Sequence, residues 1–136
     1  MKSLVPIVVI LAMASAYGFW HRVREGRIQG SKSKAQAITA QMLGSELGSR
    51  VTLVQFSSAF CTPCRTTRVL LEQLTKDLDD VKHLHIDAES HLELVRKLHI
   101  LSTPTTLILD RNGIEVGRAV GAPKRDDVLS AIAAVR

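Results

Sequence analysis

The chain has 136 residues, 46% of them hydrophobic and 23% charged, enough for one core and a short appendage. That apolar content excludes a disordered chain, and two cysteines cannot build a disulfide-stapled mini-protein or a four-cysteine zinc site. The net charge of +5 resides in residues 1–50, while 51–136 balances its charges and has Phe56 and Phe60 as its only aromatics, so nucleic acid finds neither a field nor a stacking platform.

From Ser3 to Trp20 no charged residue occurs. As a helix this run would span about 27 Å, close to a hydrocarbon core of ~30 Å. Tyr17, Phe19 and Trp20 gather at its C-terminal end, as in an interfacial belt, and His21, Arg22, Arg24, Arg27, Lys32 and Lys34 follow. Residues 3–20 therefore read as a single transmembrane anchor. A cleaved secretory signal is the competing reading, with Leu4–Met13 as apolar region and Ala14-Ser15-Ala16 as cleavage site. Only Lys2 and the α-amino group precede the run, however, which is the reverse of a signal's asymmetry. The same asymmetry puts the downstream domain on the cytoplasmic face of a cell membrane, an extracytoplasmic domain being the alternative. A buried core helix would have to hide Arg22 and Arg24. Residues 21–35 read as a basic juxtamembrane linker whose segment 26–34 is a flexible tether, solvated or laid against anionic headgroups.

Residues 36–136 read as one α/β domain. Ala37–Met42 fits strand or helix, broken by Gly44 and Gly48. Val51–Phe56 is a β-branched run suited to a strand buried on both faces. Val69, Leu70, Leu71, Leu74 and Leu78 then recur at helical spacing up to the acidic stop at Asp77–Asp80. Val81–Asp87 reads as a strand and His91–Leu98 as a helix with Leu92, Val95 and Leu98 on one face. Thr105–Asp110 and Ile114–Val120 flank a tight hairpin with an Asn112-Gly113 turn, and Asp126–Val135 closes as an amphipathic helix.

The chemistry lies in Cys61-Thr62-Pro63-Cys64. A structural disulfide closing so short a loop removes little unfolded-state entropy. Zinc needs two further ligands, and His83 and His85 stand at a spacing that fits no finger pattern, so no metal or other cofactor is expected. A strand ending near Phe56 and a helix starting near Thr62 put Cys61 at the helix N-cap, where orphan N–H groups and the dipole stabilise a thiolate. Pro63 falls in the first turn, where its missing N–H costs nothing. Cys64, one turn later, is within disulfide reach, and Arg65 and Arg68 add positive potential. Cys61 would attack a partner disulfide and Cys64 would resolve the mixed disulfide. His21, His85, His91 and His99 form no cluster, and no phosphate-cradling glycine loop occurs.

These residues resemble the thioredoxin family. The carriers are Leu53-Val54-Gln55-Phe56-Ser57-Ser58-Ala59-Phe60-Cys61-Thr62-Pro63-Cys64-Arg65, then Ser102-Thr103-Pro104-Thr105, Asn112-Gly113 and Val120-Gly121-Ala122, and the resemblance covers about residues 36–136. The arrangement is also similar to membrane-anchored thioredoxin-like proteins of actinobacteria. The resemblance implies a thioredoxin-like fold, a central mixed sheet flanked by helices, behind one N-terminal membrane helix. It implies a redox disulfide Cys61–Cys64 and a cis Pro104 facing it, which excludes metal from the thiols and lets the Thr103 backbone pair with a substrate strand. Implied partners are protein disulfides and an upstream thiol donor.

Departures from the family pattern bear on mechanism. Gln55 stands where the family has a buried Asp that helps deprotonate the resolving cysteine, and His83, near a family Lys, is a candidate substitute base. Phe60 and Ser57 replace tryptophans, Val69 the mid-helix Pro, and Thr62 a common Gly, so docking of the family's flavoprotein reductase does not carry over. The leading expectation is a membrane-tethered thiol–disulfide oxidoreductase working as a reductase. A redox-weak binding module using the groove beside Pro104, and an extracytoplasmic protein of disulfide or cytochrome maturation, are the alternatives.

Overall fold

The strand Val51–Ser57 is buried at every residue, and the rest of the domain is arranged around it. In the computed structural model, which describes residues 4–24, 26–30 and 36–136, the elements in chain order are α1 (Leu4–Arg24), β1 (Ile28–Gly30), α2 (Ala40–Leu43), β2 (Val51–Ser57), α3 (Thr62–Thr75), β3 (Val81–Asp87), α4 (Leu92–Lys97), β4 (Thr105–Leu109), β5 (Glu115–Val120) and α5 (Arg125–Ala134). The strands form one mixed sheet in the order β1-β5-β4-β2-β3. β3 is parallel to β2, and every other pair is antiparallel.

Alternation along the strands divides the core in two. Val51 and Leu53 pack with Leu71 and Leu74 of α3 and with Val128 and Ile132 of α5. Val54 and Phe56 point the other way, onto Ile38, Leu94, Ile100, Leu107 and Leu109. Arg50 ties the first layer together: it pairs with Asp80 and donates to the Ile132 and Val135 carbonyls at 2.9 and 3.0 Å, satisfying the C-terminus of α5.

Several expectations are corrected. The segment read as a tether is partly structured: Ile28, Gln29 and Gly30 pair with Ala119, Arg118 and Gly117, because the edge of β5 offers unpaired backbone groups that this short run satisfies. The apolar helix runs on past Trp20 to Arg24. The ambiguous Ala37–Met42 stretch yields one helical turn, capped by Thr39 and ended by Gly44 in the left-handed conformation. On α3, Val69 is exposed and Thr67 is buried instead. On α4, Leu94 is the buried residue and Leu92 is exposed, since a helix of six residues has room for one inward turn. The hairpin is wider than an Asn-Gly two-residue turn. Asp110 closes it, its Oδ1 accepting from the Asn112 and Ile114 N–H groups, and only Gly113 takes a positive φ.

α1 stands apart from this domain. All of its residues are exposed, and it is long and apolar enough to cross a membrane.

Candidate active site

Three loops meet at the C-terminal end of β2. The chain leaves β2 at Ser57 and enters α3 through Cys61, its N-cap residue, with Pro63 in the first turn. Cys61 and Cys64 are joined as a disulfide with Cα atoms 5.2 Å apart. The Cys64 N–H points at Cys61 Sγ over 3.2 Å, so the first turn of α3 supplies a donor where a thiolate would form once the bond is reduced. The two sulfurs are not equivalent. Cys61 is half-buried, whereas Cys64 lies 4% exposed under the helix.

At the same end of the sheet, the Thr103–Pro104 peptide is cis. Pro104 is buried, and its carbonyl accepts from the Gly121 N–H at 2.8 Å. The Thr103 hydroxyl is 3.0 Å from Ser58 Oγ, which joins the cis loop to the strand–helix turn. The sequence marks Ser58 only as part of the family resemblance; its place between a buried strand and the cysteines is the signal for this bridging role. Phe60 and Leu101, at 102% and 95%, are the most exposed large apolar side chains among the described residues. They stand on the two loops that flank the disulfide.

Beneath Cys64 lies a polar relay in an apolar layer. Gln55 is fully buried and donates from Nε2 to the Cys64 carbonyl at 2.8 Å and to Ser57 Oγ at 3.1 Å. Its Oε1 is 3.1 Å from His83 Nε2, and this amide orientation assigns the imidazole proton to Nε2. Desolvation by burial pushes His83 down to about 4, with the Glu72 carboxylate pulling upward and the charges of His85 and Arg68 downward. His83 is therefore neutral near pH 7. The structure joins it to Gln55 rather than to a sulfur, and an amide cannot accept the proton that a carboxylate could. The base role considered for His83 gains no direct contact.

Clefts of about 410 and 600 Å³ lie elsewhere, between β5 and α5 and over α4, and neither cysteine lines them. The disulfide is presented on a surface, as exchange with another protein's disulfide requires.

This combination has close counterparts. The family profile described as thioredoxin matches residues 34–134. A thioredoxin of Chlamydia trachomatis serovar D is 30% identical over 97 residues, covering 71% of this chain and 94% of its own. Thioredoxin H2-1 of Oryza sativa subsp. japonica is 28% identical over 102 residues, covering 71% and 73%. Among solved structures, a Fasciola hepatica thioredoxin superimposes with a TM-score of 0.58 at 26% identity, covering 65% of this chain and 84% of its own. Spinach chloroplast thioredoxin f gives 0.57 at 32% identity, covering 64% and 77%.

Proposed function

The chain belongs to the thioredoxin family and is a thiol–disulfide oxidoreductase, and on that premise we propose that it is a membrane-tethered reductase of protein disulfides. In this reading residues 3–20 are the anchor, 21–35 the basic junction, whose Ile28–Gly30 also pairs onto the sheet, and 36–136 the redox domain. Cys61 and Cys64 carry the chemistry, with Pro63, Gln55, Thr103 and Pro104 supporting them.

The observation that carries the assignment of roles is the unequal exposure of the two sulfurs across one helical turn. In the reduced protein, the Cys61 thiolate attacks one sulfur of a substrate disulfide and expels the other as thiolate. The Cys64 thiolate then attacks Cys61 Sγ, expels the second substrate sulfur and closes the Cys61–Cys64 bond. Two electrons pass to the substrate, whose sulfurs take up the two protons released by the cysteines, and an external thiol donor restores the pair. The helix N-terminus favours the Cys61 thiolate by about 0.3–2 kcal/mol. The cis loop leaves the Thr103 backbone beside the disulfide, where an extended substrate segment can pair with it.

The charge asymmetry about α1 supports a cytoplasmic domain, with the extracytoplasmic side as the alternative. Tethering raises the effective concentration of membrane-bound substrates.

One observation favours a second reading. Gln55, buried and already fully hydrogen-bonded, cannot take a proton from Cys64, which suits a redox-weak binding module. Reduction of a mixed-disulfide dye by the full chain, with dithiothreitol as donor, separates the two. The reductase loses turnover in Cys61→Ser, and pre-reduced Cys64→Ser freed of dithiothreitol accumulates a stable mixed disulfide with the dye, while rates equal to Cys61→Ser in the native chain select the module. Labelling of intact cells with an impermeant maleimide after mild reduction reads the side of the membrane: protection until permeabilisation means cytoplasmic.

A further inference from the structure

The junction between α1 and the sheet is short and enters at one particular end. α1 stops at Arg24, and Gly26 is already bound to the domain, its N–H donating to the Val120 carbonyl at 2.7 Å. Two Cα steps span at most about 7–8 Å, so the end of the helix cannot stray further than that from Gly26, which is itself hydrogen-bonded to Val120. Gly26 also has a positive φ of 77°, and a Cβ there would overlap the Ala122 carbonyl, so the attachment is a fitted one.

Strand directions locate this point. β1 is antiparallel to β5, β5 to β4 and β4 to β2. Ile28 therefore lies at the same end of the sheet as Val120, Thr105 and Phe56, which is the end where β2 delivers Cys61. A continuous set of contacts crosses that end: Gly26 to Val120, Gly121 to Pro104, and Thr103 to Ser58. β1 and β2 are three strand spacings apart, about 14 Å. The opposite end of the sheet, with Arg111 and the hairpin, points away.

We infer that the redox end of the domain faces the bilayer, and that its substrates are disulfides in the juxtamembrane segments of integral membrane proteins. This rests on α1 spanning the membrane. Its 21 residues give about 32 Å of helix, which places Arg22 and Arg24 at headgroup level and Gly26 within roughly 10 Å of it. A disulfide held on the same end of the domain meets targets near the membrane surface and turns its back on those far above it. Phe60 and Leu101 present their bare side chains on this end, where a membrane-proximal partner would cover them.

The test uses the full chain in vesicles of phosphatidylcholine and phosphatidylglycerol doped with headgroup-spin-labelled lipid. A bimane is placed on Cys61 of Cys64→Ser, and in a second sample on Arg111→Cys with both native cysteines changed to Ser. The two positions differ by more than ~15 Å along the strands, and quenching of the Cys61 label is expected to exceed that of the Arg111→Cys label several-fold. Equal quenching, or stronger quenching at 111, overturns the orientation. Flotation of the same samples separates the premise: a chain that does not float ends the membrane reading and the orientation with it. For the substrate class, two transmembrane peptides carry one disulfide, either beside the apolar run or beyond a helical spacer of about 30 residues, or ~45 Å. With dithiothreitol as electron source, the near disulfide should be reduced about tenfold faster, the gain expected from a higher effective concentration. Equal rates, or a faster far disulfide, overturn the substrate class even where the orientation stands.

Discussion

α1 and β2 are both apolar runs, and they have opposite fates. Every residue of β2 is buried, whereas no residue of α1 is. β2 has α3 and α5 over one face and Ile38, Leu94 and Ile100 over the other, so the protein itself removes its side chains from water. Nothing in the described residues does this for α1. The same hydrophobic effect that closes the sheet domain leaves the helix in need of a different solvent. Apolar content alone does not tell the two apart; the charges that bound each run do.

That contrast can be broken at either region. Phe56→Ala opens a cavity in the layer of Ile38, Leu94 and Ile100 and should cost about 3–5 kcal/mol, read as a lower melting temperature of the domain with flotation on vesicles unchanged. Ile10→Arg puts a charge at the middle of α1 and should cost about 3 kcal/mol of membrane insertion. It is read as lost flotation with dye reduction in detergent unchanged. A third variant probes the one polar intrusion into the buried region. Folding holds His83 neutral down to about pH 4 against 6.5 in the unfolded chain, so between these values the unfolded state binds the extra proton. Its share of stability is complete above about pH 6.5 and falls away as the pH drops to 4. His83→Phe should flatten that slope by up to about 2 kcal/mol, allowing for partial solvation of the ring, in urea melts across the same interval. The smallest effect sharpens the comparison from within the domain. Leu92→Ser alters a residue that is 55% exposed and should shift stability by no more than about 0.5 kcal/mol.

Much of the fold was legible because its long elements carry strong periodic signals. β2, α3 and β3 follow the apolar pattern within a residue or two, and the Cys61–Cys64 pair is announced by a strand–helix turn. What escaped was set by partners distant in sequence. Ile28–Gly30 has no strand pattern and becomes one because β5 lies beside it. Leu92 and Leu94 look alike in sequence, and only where α4 begins decides which turns inward. In the site, Gln55 was visible as a departure from the family. Its binding to the Cys64 carbonyl on one side and His83 on the other depends on the register of β2 against β3, which no local spacing encodes.

Gly113 closes the β4–β5 hairpin, and its carbonyl accepts from the Ile38 N–H at 2.8 Å; a Cβ at Gly113 would collide with the Ile38 carbonyl. Most of the domain's sequence separates these two residues, so the pairing is among the last that loop-closure entropy allows. On the ribosome, Ile38 is made early, yet its backbone N–H has no partner until the hairpin has been synthesised. The Ile38 segment is thus pinned late in time, and a nascent chain halted before Gly113 would hold it by side-chain packing alone, without the backbone bond that fixes its place.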